Sequence, residues 1–165
     1  MTKLKKTLKK LNFKVLSKYY FFLPIKEKNL NNKYLNWINN NEISQFLTEV
    51  KNKKKIRDLY SKVNSLRTNK GEMYSIHNKK DKSHIGNLTI INPEKNKSGY
   101  YGLMIGDKTS RDIGAGGYIT LMVIYIFFNH FKCRKISVAC DKKNHKAINT
   151  VLKVGFKPNK IVFSG

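Results

Sequence analysis

YYGLMIGDKTSRDIGAGGYITLMVIYIFF, residues 100–128, falls into three parts: a β-favouring run from Tyr100 to Ile105, a polar loop from Gly106 to Gly117, and an uncharged apolar stretch of helix length. Glycines at the start of a helix let the backbone approach an anion closely. The unsatisfied N–H groups of the first turn and the helix dipole then favour phosphate. The arrangement predicts a pyrophosphate cradle; the alternative is that these glycines only permit close packing of the helix. A Walker A loop is excluded because no Gly-Lys-Ser/Thr follows. A dinucleotide fingerprint needs an early parallel unit with an acidic residue about 20 positions on, and the segments upstream read otherwise.

Upstream, Tyr19 to Ile25 reads as a first strand, and Asn29 to Asn41 has helical apolar spacing around Tyr34, Leu35, Trp37 and Ile38. Ile56, Leu59, Val63 and Leu66 recur every three or four residues, predicting a helix over Lys54 to Thr68. Asn69, Lys70 and Gly71 then mark a change to strands at Glu72 to His77 and His84 to Asn92, with Tyr100 to Ile105 completing an antiparallel meander. Downstream, the apolar helix Ala115 to Phe131 precedes a β-branched strand, Lys135 to Cys140, which a parallel crossover would reach. A helix over His145 to Val154 would end at Gly155, and Phe156 to Phe163 can supply a last strand. One domain, residues 19–165, is expected, preceded by a basic extension, residues 1–18, whose apolar positions have helical spacing.

The chain of 165 residues carries 34 Lys and Arg against 10 Asp and Glu, a net charge of +24, which first suggests nucleic acid or an anionic membrane surface. Only Arg57, Arg67, Arg111 and Arg134 are arginines, and bidentate recognition of phosphates and bases is arginine's speciality. The lysines are dispersed among asparagines, as solvated faces are. Cys133 and Cys140 have neither redox nor zinc spacing, so no metal and no disulfide is expected, and a reducing cytoplasm suits them. Ile113 to Phe131 lacks charge, but glycines at one end and Asn129 with His130 at the other confine its solidly apolar part to Tyr118–Phe128. That length suits a helix buried on a sheet, and no membrane span is expected.

RDIGAG, Arg111 to Gly116, resembles the Q/R-x-x-G-x-G/A acetyl-CoA loop of the GNAT superfamily of N-acetyltransferases. NHKAINTVLKVGF, Asn144 to Phe156, is similar to that family's N-x-x-(S/A)-…-K-x-G-F helix, and MIGDK, Met104 to Lys108, to the strand end before the loop. YLNWINNNEISQFL, Tyr34 to Leu47, resembles the Y-L-x-W-L-N-D-P-E-V segment of the branch related to ribosomal-protein alanine and aminosugar acetyltransferases. The resemblance implies an α/β (α+β) fold with a mixed, mainly antiparallel sheet flanked by helices and acetyl-CoA at the strand-to-helix glycine loop. It implies that backbone groups of Met104, Ile105 and Gly106 pair with the pantetheine arm, and that the loop of Arg111, Asp112, Ile113, Gly114, Ala115, Gly116 and Gly117 holds the pyrophosphate. Asn144 and Asn149 would contact the coenzyme from the last helix, Asn144 being equally readable as that helix's N-cap.

The implied reaction is attack of an amine on a thioester, driven by holding the reactants together, with a backbone N–H near the oxyanion. Glu42 and Tyr101 are the candidates for the proton-accepting group; a surface glutamate and a core tyrosine are the alternatives. Many relatives carry a tyrosine acid where this chain has Val151. The acceptor would be a small-molecule or peptide amine, such as an amino sugar or a protein N-terminus. Two other functions compete: a basic nucleic-acid-binding protein, which leaves the glycine loop unexplained, and a degenerate protein that binds coenzyme without turnover.

Overall fold

The computed structural model describes residues 18–47, 52–91 and 98–158. Among these residues five strands form one sheet in sequence order: β1 (Tyr20–Pro24), β2 (Gly71–Asn78), β3 (His84–Ile91), β4 (Ser98–Ile105) and β5 (Lys135–Ser137). The first four pair antiparallel and β5 joins β4 in parallel. The helices are α1 (Asn32–Asn39), α2 (Asn41–Ser44), α3 (Ile56–Thr68), α4 (Lys108–Asp112), α5 (Ala115–Asn129) and α6 (His145–Lys153).

Alternation along the strands gives the sheet two apolar faces. On one, Tyr74, Ile76, Leu88, Ile90, Tyr101 and Ile105 meet Ile119, Val123, Ile126 and Phe127 of α5. On the other, Met73 and Met104 meet Tyr34 and Trp37 of α1 and Leu59 and Val63 of α3. The side chains of α3 recur at the helical period, so its lysines stay in water.

Several boundaries differ from expectation, each for a local reason. The helix expected over Asn29 to Asn41 is interrupted at Asn40, whose extended backbone ends α1 while its side chain accepts the Glu42 N–H at 2.8 Å to open α2. The glycine loop contains a helix of its own, α4, because Asp107 Oδ2 accepts both the Ser110 N–H at 2.8 Å and the Ser110 hydroxyl at 2.7 Å. The strand expected over Lys135 to Cys140 pairs only through Ser137. Helix α5 stops at Asn129, and Lys132 in the left-handed region returns the Cys133 N–H to the Phe127 carbonyl at 3.0 Å. Gly155, at φ 102°, ends α6 as expected. Phe156, Lys157 and Pro158 lie outside any strand, and the rest of the expected last strand lies outside the described residues, as do residues 1–17 of the expected extension.

Candidate active site

The site is built at the carboxyl end of β4. A bulge in β3 pairs Ile76 with Gly86 and His77 with His84, leaving Ile85 between them. The Ile85 carbonyl accepts two N–H groups, from Gly106 at 2.9 Å and Asp107 at 3.0 Å, which fixes where β4 ends and the loop begins. On the other edge, the ladder to β5 stops at Tyr100 with Ser137. No described strand pairs that edge of β4 from Tyr101 to Ile105. The sheet therefore opens beside the second half of β4.

Across this opening stands the start of α5. Its N-cap is Gly114 at φ 81°, in the left-handed region that costs other residues roughly 1–2 kcal/mol. Among the described residues no side chain caps the helix, so none of them takes up the N–H groups of its first turn as a capping group. Among the described residues a Cβ added at Gly114 or Gly116 would meet nothing within 4 Å, whereas one at Gly117 would lie 3.6 Å from Thr150 Cγ2 of α6. This is an open cradle with α6 as its wall, and it fits a pyrophosphate joined to an arm that runs along the free edge of β4. Ala115 is buried, Gly116 and Gly117 are half-buried, and Ile113 is exposed in the loop before them.

The side chain of Arg111 has protein partners. Its guanidinium donates to the Gly106 carbonyl at 2.8 Å and the Ile105 carbonyl at 3.2 Å, and pairs with Glu42 Oε2 at 3.0 Å. It ties the end of β4 to α2. Glu42, its side chain 59% exposed, is thereby engaged by a cation. Tyr101 is 1% exposed, against Phe156, and burial pushes its hydroxyl up to about 12. A tyrosine so placed suits the core reading better than proton abstraction near neutral pH. Asn144 caps α6, accepting the Ala147 N–H at 3.1 Å, and Asn149 is exposed on the same helix. Met104 packs in the apolar cluster with Trp37.

A polar cluster that sequence reasoning passed over lies under α1. His84 Nε2 faces the Gly86 carbonyl at 3.0 Å and Asn87 Oδ1 at 2.9 Å, so that nitrogen carries the proton. Burial is the main cause that holds the His84 pKa below its usual range, with the neighbouring His77 ring adding to it. The ring stacks on His77 and meets the edge of Trp37, which itself sits so close to Gly106 that a Cβ there would overlap its ring. The Asn87 Nδ2 has no hydrogen-bond partner among the described residues and is buried. Period-two alternation in β3 was the only sequence signal for Asn87, and the bulge shifts it.

Residues 21–157 match the family model of the acetyltransferase (GNAT) domain. The chain belongs to the GNAT acetyltransferase family. It is an N-acetyltransferase, and GNAT domains use acetyl-CoA as co-substrate. No curated protein matches its sequence. Solved structures share the fold at low identity. The spermidine N-acetyltransferase from Vibrio cholerae in complex with CoA and spermine superposes with a TM-score of 0.74 at 16% identity, over 87% of this chain and 84% of the other. The aminoglycoside acetyltransferase AAC(6')-Ib in complex with coenzyme A gives 0.73 at 15%, over 87% of each chain. A domain from Methanocaldococcus jannaschii gives 0.74 at 17%, over 86% and 90%. The mixed sheet flanked by helices is thus the GNAT fold, as the sequence implied. Among the described residues no group of His, Cys, Asp and Glu could hold a metal, and no helix is long and apolar enough to cross a membrane. Cys133 and Cys140 are not joined in a disulfide, and burial raises the pKa of both.

Proposed function

We propose that this GNAT domain transfers acetyl from acetyl-CoA to a primary amine carried on a neutral or anionic body, such as an amino sugar or a peptide N-terminus. The observation that carries the reading is the juxtaposition of the open β4 edge with the uncapped, Gly114-led start of α5. Coenzyme bound there supplies an activated acetyl thioester. Backbone groups of Met104, Ile105 and Gly106 would orient the arm, and the N–H groups of the segment Asp112 to Gly117 would hold the phosphates. Arg111 serves this site through its strap on Ile105 and Gly106. Asn149 and the capping Asn144 would contact the coenzyme from α6, whose Thr150 stands beside the cradle.

The preference for a neutral or anionic acceptor body rests on charge. A chain of net charge +24 repels a polycation such as a polyamine, and Glu42, a carboxylate that could draw one in, is already paired with Arg111. The same field raises the on-rate of a coenzyme bearing several phosphates. With Glu42 and Tyr101 so engaged, the ammonium proton is best passed to water. A reducing cytoplasm, where free thiols persist, fits its two cysteines.

Calorimetric titration with acetyl-CoA tests the site. Saturable one-site binding should be lost in a Gly114→Glu, Gly116→Glu double variant whose circular dichroism is unchanged. Thiol release from acetyl-CoA is then followed with an amino sugar, a peptide N-terminus and spermidine as acceptors. Turnover with spermidine above the other two would overturn the acceptor class, and a folded wild type that binds no coenzyme would overturn the site.

A further inference from the structure

Helix α5 is uncharged on every side. Ile119, Val123, Ile126 and Phe127 face the sheet and are buried, but Leu121, Tyr125 and Phe128, spaced four and three apart on the opposite side, are 52%, 58% and 45% exposed. A soluble surface ordinarily breaks such a stripe with charge, and an unbroken one marks an interaction site. Both ends of the stripe are basic. At the start, Lys18 is exposed beside Tyr19, whose ring stands edge-on to Tyr118 at 5.3 Å. At the end, His130 packs on Tyr125, and Lys132 and Arg134 follow, both exposed.

We propose that the outward face of α5 is a contact surface for an anionic lipid bilayer, with Leu121, Tyr125 and Phe128 entering the interface and the flanking cations meeting the headgroups. Charge selects the partner. A second copy of the chain would bring another +24 against this one. Single-stranded nucleic acid could stack its bases on Tyr125 and Phe128, but it offers the aliphatic Leu121 no apolar phase to enter, as a bilayer does. A specific acidic protein patch calls for arginine forks and amide donors, while all but four of the 34 basic residues are lysines, hydrated point charges on flexible apolar stems. Those stems and a tyrosine ring with a wet hydroxyl suit the lipid headgroup zone. Each cation near an anionic leaflet adds to the attraction, which falls off within a Debye length. Because Gly114 caps the start of α5, the contact holds the coenzyme cradle close to the membrane surface.

Co-sedimentation of the full chain with vesicles of phosphatidylcholine containing phosphatidylglycerol, against phosphatidylcholine alone, tests this. The wild type should partition onto the anionic vesicles only, and less as salt rises. A Leu121→Glu, Phe128→Glu variant should partition about tenfold more weakly or worse, with its helicity and its coenzyme titration unchanged. If that variant does not fold, Tyr125→Ser should also weaken partition. Wild-type partition onto neither vesicle would overturn the proposal. So would a folded variant that partitions as the wild type does, since charge alone would then account for binding. Self-association of the wild type, abolished in the variant and unaccompanied by vesicle binding, would assign the face to a second copy instead.

Discussion

Alanine placed at Gly114 and at Gly116 should change stability in opposite directions, although the two positions are two residues apart and both have open space around them. Neither added methyl would meet an atom within 4 Å, so packing contributes nothing to the difference. At Gly114 the backbone sits at φ 81°, and a Cβ there costs roughly 1–2 kcal/mol. At Gly116, inside the first turn of α5, alanine restricts the unfolded chain and gains roughly 0.5–1 kcal/mol. The two variants should therefore differ by at least about 1.5 kcal/mol. With about 2–4 °C per kcal/mol for a chain of this size, the melting temperatures should fall on either side of the wild type, separated by several degrees. Thermal unfolding followed by circular dichroism reads this, and a coenzyme titration of each variant accompanies it. Gly116→Ala should still bind, because the family's loop pattern accepts alanine there. Equal melting temperatures for the two variants would refute the left-handed cap and, with it, the way α5 is aimed at the opening in the sheet.

Arg111→Ala should cost about 1–3 kcal/mol, by leaving the Ile105 and Gly106 carbonyls without their donor. Glu42→Ala, which removes only a solvent-screened partner, should cost under about 1 kcal/mol; urea denaturation showing the reverse order would end the strap interpretation. Gly106→Ala should cost about 1–3 kcal/mol through overlap with the Trp37 ring, and in a double-mutant cycle with Trp37→Leu the two costs should be less than additive. Strict additivity would show that the ring does not set the limit at Gly106. His84 is held below its usual pKa by burial, so the folded state binds fewer protons there than the unfolded chain. Its contribution to stability is full above about pH 6.5 and is lost as the pH falls through the lowered folded value. Unfolding free energies of wild type and His84→Gln should therefore converge on acidification, and a constant gap would show that the ring does not titrate as argued.

Where periodicity is strong, the sequence was a sufficient guide. The three- and four-residue spacing of Ile56, Leu59, Val63 and Leu66, the alternating character of β3, and the uncharged run of α5 each reflect the geometry of one element, which neighbours in sequence suffice to define. Boundaries were less legible because single side-chain hydrogen bonds set them. Asp107 starting α4 and Asn40 dividing α1 from α2 are examples.

The sequence by itself determined the order of the described strands and of the longer helices between them, the antiparallel meander with its parallel addition, and a loop whose glycines lead a helix. Its ordered motifs pointed to the GNAT family, and the family model over residues 21–157 agrees. Tertiary structure alone decided what those residues touch. Glu42 and Arg111, 69 positions apart, form one strap, and Tyr101 lies deep in the core. Likewise the Ile85 carbonyl receives two N–H groups from the end of β4, and the β4–β5 ladder parts after Tyr100. A residue's type and spacing set its local conformation, but its partner, its burial and hence its charge state depend on which distant segment the folded sheet brings beside it.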